Sequence, residues 1–144
     1  MFVGEYYHNI DAKGRIIIPA KFREKLGEQF IIAKGFEGCL FVYPMEDWEE
    51  LTAKMALLPS NQKNTRSLQR RFLSGAAEAE PDKQGKVLIT PIHRDYANLT
   101  KEVAIIGVGK RVELWDAQSW MDYSSDEMEM SIEEAAESME EISF

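Results

Sequence analysis

The sequence predicts a mixed α+β fold, mainly β, built from two tandem β-β-α-β-β units. The first observation is a repeat: Asp-Ala-Lys-Gly-Arg-Ile-Ile-Ile-Pro at 11–19 recurs as Asp-Lys-Gln-Gly-Lys-Val-Leu-Ile-Thr at 82–90. The second is that the likeness persists downstream, with 30–35 matching 102–107, 40–43 matching 112–115 and Trp48 matching Trp120. The third is a change of periodicity between the copies, from strand-like runs to helical stripes. A repeat of this length makes each copy one supersecondary unit, too small to bury a full core unaided.

Each unit begins at a turn. Asp11 followed three residues later by Gly14, and Asp82 by Gly85, is a turn signature, because Asp bonds the backbone two residues on and Gly tolerates positive φ. The flanks at 5–10 and 15–18 are β-branched and aromatic, which predicts a local hairpin. A short helix is expected at 19–26, with Pro19 in its first turn and Gly27 as its stop. A second hairpin follows, 30–34 with 39–43, answered in the second copy by 103–106 with 111–115 around a turn at Gly107, Val108 and Gly109.

Trp48, Leu51, Met55 and Leu58 then mark an amphipathic helix, and a second helix runs from about Thr65 to Ser74. At the C-terminus Ser131 and Glu134 read as a capping box, with Ile132, Ala135 or Ala136, Met139 and Ile142 on one apolar face able to dock on the body. The expected division is a first repeat at 5–47, a helical linker at 48–75, a second repeat at 76–119 and an acidic helical tail at 120–144.

The net charge of −8 argues at first against a nucleic-acid partner. Nine acids and no Lys or Arg lie at 122–144, however, leaving 16 acids and 17 bases over 1–121. The body is near neutral, and the acidity belongs to the tail. The tail is read mainly as a solubilising face, the sharper alternative being that it competes with phosphate for the basic loops. No apolar run is long enough for a membrane span and no signal peptide is evident, so a cytoplasmic location is expected. The lone Cys39 reads as a buried small hydrophobe.

The chain offers no catalytic constellation, and neither cofactor nor metal is expected. His8 and His93 lack partners at zinc-ligand spacing, and no phosphate-cradling Gly loop or nucleophile elbow occurs.

Asp11 to Arg15, its partner at 82–86, Gly107-Val108-Gly109 and Glu113-Leu114-Trp115-Asp116 together resemble the MraZ family of bacteria over nearly the whole chain. The resemblance implies swapped-hairpin repeats of the SpoVT-AbrB type, packed as a pseudo-dimeric, β-barrel-like body. It also implies homo-oligomeric rings and a nucleoid-associated, non-enzymatic transcription regulator. Such a regulator binds short direct repeats in double-stranded promoter DNA of the division and cell-wall gene cluster, its own gene included. The family hallmark is Asp-x-x-x-Arg in both copies, and the second copy here has Lys86 in place of Arg. Lys keeps the charge but lacks the planar fork that reads a guanine edge.

Lys13 and Arg15 flank Gly14, and Lys83 and Lys86 occupy the second turn, so these four are the expected DNA-binding residues. Asp11, Gly14, Asp82 and Gly85 are the expected turn-shaping ones. If the turns project, each subunit offers two prongs to a groove, the first stronger; taken singly, the same residues are ordinary solvated turn charges. Arg23 and Arg94, at equivalent positions, suggest an ion pair within each unit. The linker bases Lys63, Arg66, Arg70 and Arg71 are read as a solvated face or as partners for acids of a neighbouring subunit. The competing function is an antitoxin-like protein-interaction module without strong DNA binding.

Overall fold

The strands of the two repeats exchange partners. The computed structural model describes residues 1–143, with the side chains of all of these but 126–129. In repeat one the elements are β1 (Phe2–Asn9), β2 (Arg15–Ile17), α1 (Ala20–Leu26), β3 (Phe30–Lys34) and β4 (Leu40–Pro44), followed by the linker helices α2 (Met45–Ala56) and α3 (Lys63–Ser74). Repeat two supplies β5 (Ala77–Ala79), β6 (Lys86–Leu88), α4 (Pro91–Ala97), β7 (Glu102–Gly109) and β8 (Val112–Asp116), followed by α5 (Ala117–Tyr123) and α6 (Asp126–Ser138).

These strands form a six-stranded sheet in the order β1-β7-β8-β4-β3-β5 and a two-stranded ribbon, β2-β6. The later hairpins of both copies form as expected, β3 with β4 and β7 with β8. The first hairpins do not. β1 pairs along its whole length with β7 of the other repeat, β5 pairs with β3, and β2 pairs with β6. A local hairpin was the wrong reading because β-branched flanks specify strands but not their partners. The sheet stays open, so the expected barrel is not closed by backbone bonding, although the α+β class is as expected.

The registers define a local twofold. Ile16 sits opposite Val87 in the ribbon, Phe41 sits opposite Glu113 in the sheet, and each pair consists of repeat equivalents. Only a twofold axis through both pairs places equivalents face to face.

The sheet is covered on both faces. On one side Ile16, Ile18, Val87 and Ile89 of the ribbon segments pack with Phe22 and Leu26 of α1 onto Phe30, Ile32, Val42, Val103 and Leu114. On the other, Phe41, Tyr43, Ala104 and Trp115 meet Met55, Phe72 and Trp120 of the helices. Alternate strand residues therefore enter different cores, which explains the unbroken apolar run Phe30-Ile31-Ile32-Ala33.

Three further expectations need correction. Gly107 and Val108 belong to β7 rather than to a turn, pairing with Gly4 and Val3. A Cβ on Gly107 would lie 2.5 Å from the Val3 backbone nitrogen, so glycine is required by strand approach. The last helix starts after Ser125, leaving Ser131 inside it rather than at its cap. Ile132, Met139 and Ile142 are exposed, so the tail's apolar face is not docked on the body.

Candidate nucleic-acid interface

The two Asp-to-cation loops have the same construction. In the first, Asp11 Oδ1 accepts the backbone N–H groups of Lys13 and Arg15, each at 2.9 Å, and Asp11 N–H donates to Arg15 O at 2.9 Å. In the second, Asp82 Oδ1 accepts from Gln84 at 2.8 Å and Lys86 at 2.9 Å, and Asp82 N–H donates to Lys86 O at 2.8 Å. Gly14 and Gly85 close the loops at φ values of 80° and 79°, a region side chains rarely adopt. The Arg15 N–H foremost holds the Asp11 carboxyl below the usual carboxylate range, and the Lys86 N–H does the same for Asp82.

Each loop is held by the opposite repeat. The Arg94 guanidinium lies over Gly14, where a Cβ would come within 1.8 Å of it, and Arg23 lies over Gly85, where the figure is 2.3 Å. Arg23 Nη1 also donates to Ile18 O at 2.6 Å, and Ile89 N–H donates to Gly14 O at 2.9 Å. The ion pair expected within each unit is absent for both arginines among the described residues. Their charge instead backs the other repeat's loop. The matched spacing of Arg23 and Arg94 relative to the two glycines was the available signal, but only strand exchange reveals what it means.

This exchange also merges what the sequence suggested as two separate prongs. In the ribbon Arg15 is paired with Leu88 and Ile17 with Lys86, while Ile16 and Val87 point into the core. Arg15 and Lys86 therefore share one outward face. Arg15 Nε donates to Asp11 Oδ2 at 3.0 Å, and its Nη1 lies 3.7 Å from Asp82 Oδ2 across the ribbon. Lys86 Nζ reciprocally lies 3.9 Å from Asp11 Oδ2. All four side chains remain partly exposed, so these bonds orient the cations without burying them. Lys13 and Lys83 are exposed on the loops, and neither has an ion-pair partner among the described residues.

Elsewhere the polar groups serve the fold. Arg71 of the linker stacks on Tyr96 of α4 at 5.3 Å and donates to its hydroxyl, which in turn donates to Gly35 O. His93 is buried with Nε2 2.7 Å from Gly75 O. Cys39 is buried, which pushes its thiol pKa up.

The family model for the MraZ protein, described as antitoxin-like, matches the chain twice, at residues 1–71 and 72–142. The chain belongs to the MraZ family. Among its relatives, the transcriptional regulator MraZ of Acetivibrio thermocellus is 55% identical over 139 residues, covering 96% of each chain. That of Halothermothrix orenii is 52% identical with 99% of each covered, and that of Thermoanaerobacter sp. strain X514 is 48% identical with 100% of each covered. These relatives are named as transcriptional regulators rather than enzymes, and the MraZ family model falls into the same two copies that exchange strands in the structure. No helix among the described residues is long and apolar enough to cross a membrane.

Proposed function

We propose that this chain regulates transcription by binding duplex DNA through the outer face of the β2-β6 ribbon and its two loops. The observation that carries this reading is the convergence of Arg15 and Lys86, with Lys13 and Lys83 beside them, on one exposed two-stranded surface. A ribbon of two strands fits the major groove of B-DNA. Asp11 fixes the Arg15 guanidinium through Nε, so less conformational freedom is lost when its terminal nitrogens meet a guanine edge. Lys86 supplies a point charge suited to phosphate, and Lys13 and Lys83 bracket the site with two more.

In the finer reading, the protein acts as a homo-oligomeric ring whose ribbons engage short direct repeats upstream of its own gene, repressing the division and cell-wall cluster. One ribbon is a small surface, and joining several raises affinity through effective concentration. Its place is then the cytoplasm, on the nucleoid. Repeats at 5–47 and 76–119 build the DNA face, with 48–75 as linker and 120–144 as the acidic tail.

The test is a gel-shift titration on the gene's own upstream region at several salt concentrations. Arg15→Ala is expected to lose about 10- to 100-fold in affinity with its assembly intact. Unchanged affinity sinks the reading. An absence of duplex binding by the unaltered protein favours the antitoxin-like interaction module.

A further inference from the structure

The ribbon's outer face carries more than charge. β2 and β6 each bury their middle residue, Ile16 and Val87, and turn the residues on either side outward. On β2 those are Arg15 and Ile17, and on β6 they are Lys86 and Leu88. Ile17 is 38% exposed and Leu88 57%. Cross-strand pairing sets Leu88 directly opposite Arg15 and Ile17 directly opposite Lys86. The face is thus a four-residue checkerboard in which each cation has an aliphatic neighbour across the ribbon and another two residues along its own strand.

Single exposed aliphatic residues are common and need no explanation. This pair differs because Ile17 and Leu88 are repeat equivalents, related by the local twofold and set into the one surface where the cations converge. The surroundings also name the occupant. Exposed Lys13 and Lys83 flank the patch, so its partner must carry negative charge at its rim and apolar groups within about 5–7 Å of sites that bind cations, the spacing across and along a strand. A major-groove floor has this composition, with acceptor edges on guanine and the C5 methyl on thymine.

We propose that Ile17 and Leu88 are specificity-determining residues that contact thymine C5 methyl groups, while Arg15 and Lys86 contact acceptor edges and phosphate beside them. The inference rests on the DNA reading of the ribbon face. Two residues along a strand span roughly 7 Å, close to two base-pair steps, so the preferred thymines lie within about two steps of the base that Arg15 reads. Because the axis relates Ile17 to Leu88, methyls on both strands of the duplex are within the pattern.

Deoxyuridine isolates this contact, since it keeps every hydrogen-bonding edge of thymine and removes only the methyl. The full-length protein is titrated against its own upstream fragment made with thymine and with deoxyuridine, an unrelated fragment of each kind serving as control. One buried methyl corresponds to about a fourfold change, and two to about 15-fold, at each ribbon. The unaltered protein is expected to favour the thymine fragment by at least that factor and to treat the two control fragments alike. Ile17→Ser/Leu88→Ser is expected to bind both upstream fragments equally, and as weakly as the unaltered protein binds the deoxyuridine one. Arg15→Ala is expected to bind both more weakly while keeping the thymine preference.

Both substituted side chains are exposed, so an unchanged melting curve and elution volume are expected for the double variant. Equal affinity of the unaltered protein for thymine and deoxyuridine fragments overturns the proposal and leaves the ribbon as a DNA site. A double variant that keeps the preference overturns it too. Loss of the oligomer in the double variant, with discrimination retained, assigns the two residues to contact between copies instead. No binding to any duplex removes the DNA reading itself, and this inference with it.

Discussion

Where repeat one places Arg15 and Phe41, repeat two places Lys86 and Glu113, at positions the local twofold superposes. The backbone is nearly indifferent to the exchange. Around Phe41, repeat one has an apolar set of Cys39, Phe41 and Tyr43. Repeat two answers with Arg111, Glu113 and Trp115. The Glu113 carboxylate accepts Arg111 Nη2 at 2.7 Å and Trp115 Nε1 at 3.0 Å, and the Arg111 guanidinium lies 4.1 Å from the Phe41 ring centre. The two half-sites have become complementary across the axis rather than identical. Fusing two copies in one chain makes that possible, because a substitution in one half no longer imposes itself on the other.

The largest effect expected from breaking this complementarity is at the axis. Phe41→Ala removes a buried ring and the platform beneath Arg111, and is expected to cost about 3–5 kcal/mol in chemical denaturation. Glu113→Ala is expected to cost less, about 1–3 kcal/mol, because Arg111 is partly exposed and can turn to water. Equal losses would mean that the two halves contribute alike.

Next in size is the contrast between Gly107 and its equivalent Gly35. A Cβ on Gly107 meets the backbone of β1, at Phe2 C and Val3 N, whereas one on Gly35 meets the Phe41 ring at 2.5 Å and, less closely, the Cys39 carbonyl oxygen at 2.9 Å. Gly107→Ala is expected to lower stability by about 2–3 kcal/mol and to loosen β1, read as faster amide exchange there, with Gly35→Ala nearer 1–2 kcal/mol.

At the proposed DNA face, Lys86→Arg supplies the planar fork that the second loop lacks. It is expected to raise affinity for the upstream fragment about tenfold while leaving the melting temperature unchanged. A fall in affinity would show that the asymmetry of the two loops matters for binding.

The smallest effect concerns pH. Asp11 and Asp82 have depressed pKa values in the folded chain, so the stability they add is complete above the ordinary carboxylate range and is lost as pH falls through the depressed values. Asp11→Asn and Asp82→Asn should each flatten the acid limb of a stability profile, since each Oδ1 accepts two backbone N–H groups, with the larger change at Asp11, which also accepts Arg15 Nε.

The repeat, the α+β class, both later hairpins and the short helix after each loop are legible in the residues, because turn chemistry and local periodicity act over a few positions. Strand exchange is not. Nothing local in Phe2–Asn9 distinguishes β2 from β7 as a partner; only the resemblance to swapped-hairpin proteins anticipates it. The same blindness hides the role of Arg23 and Arg94, whose targets lie in the other copy, and makes Gly107 look like a turn. At the candidate site, Lys13, Arg15, Lys83 and Lys86 are found from sequence as members of two loops, but their union on one face depends on the β2-β6 register. Ile17 and Leu88 carry no signal as single residues, since an aliphatic side chain in a strand is the default of a core.

The crossed clamps, Arg94 over Gly14 and Arg23 over Gly85, have a consequence during synthesis. When repeat one has left the ribosome, β1 lacks β7, β2 lacks β6 and the first loop lacks its arginine. Pairing waits for chain roughly 70 to 110 positions downstream, which is the slow, non-local kind of contact. A nascent or prematurely ended chain is therefore expected to lack the paired ribbon and its clamped loops, and only a finished polypeptide acquires that face.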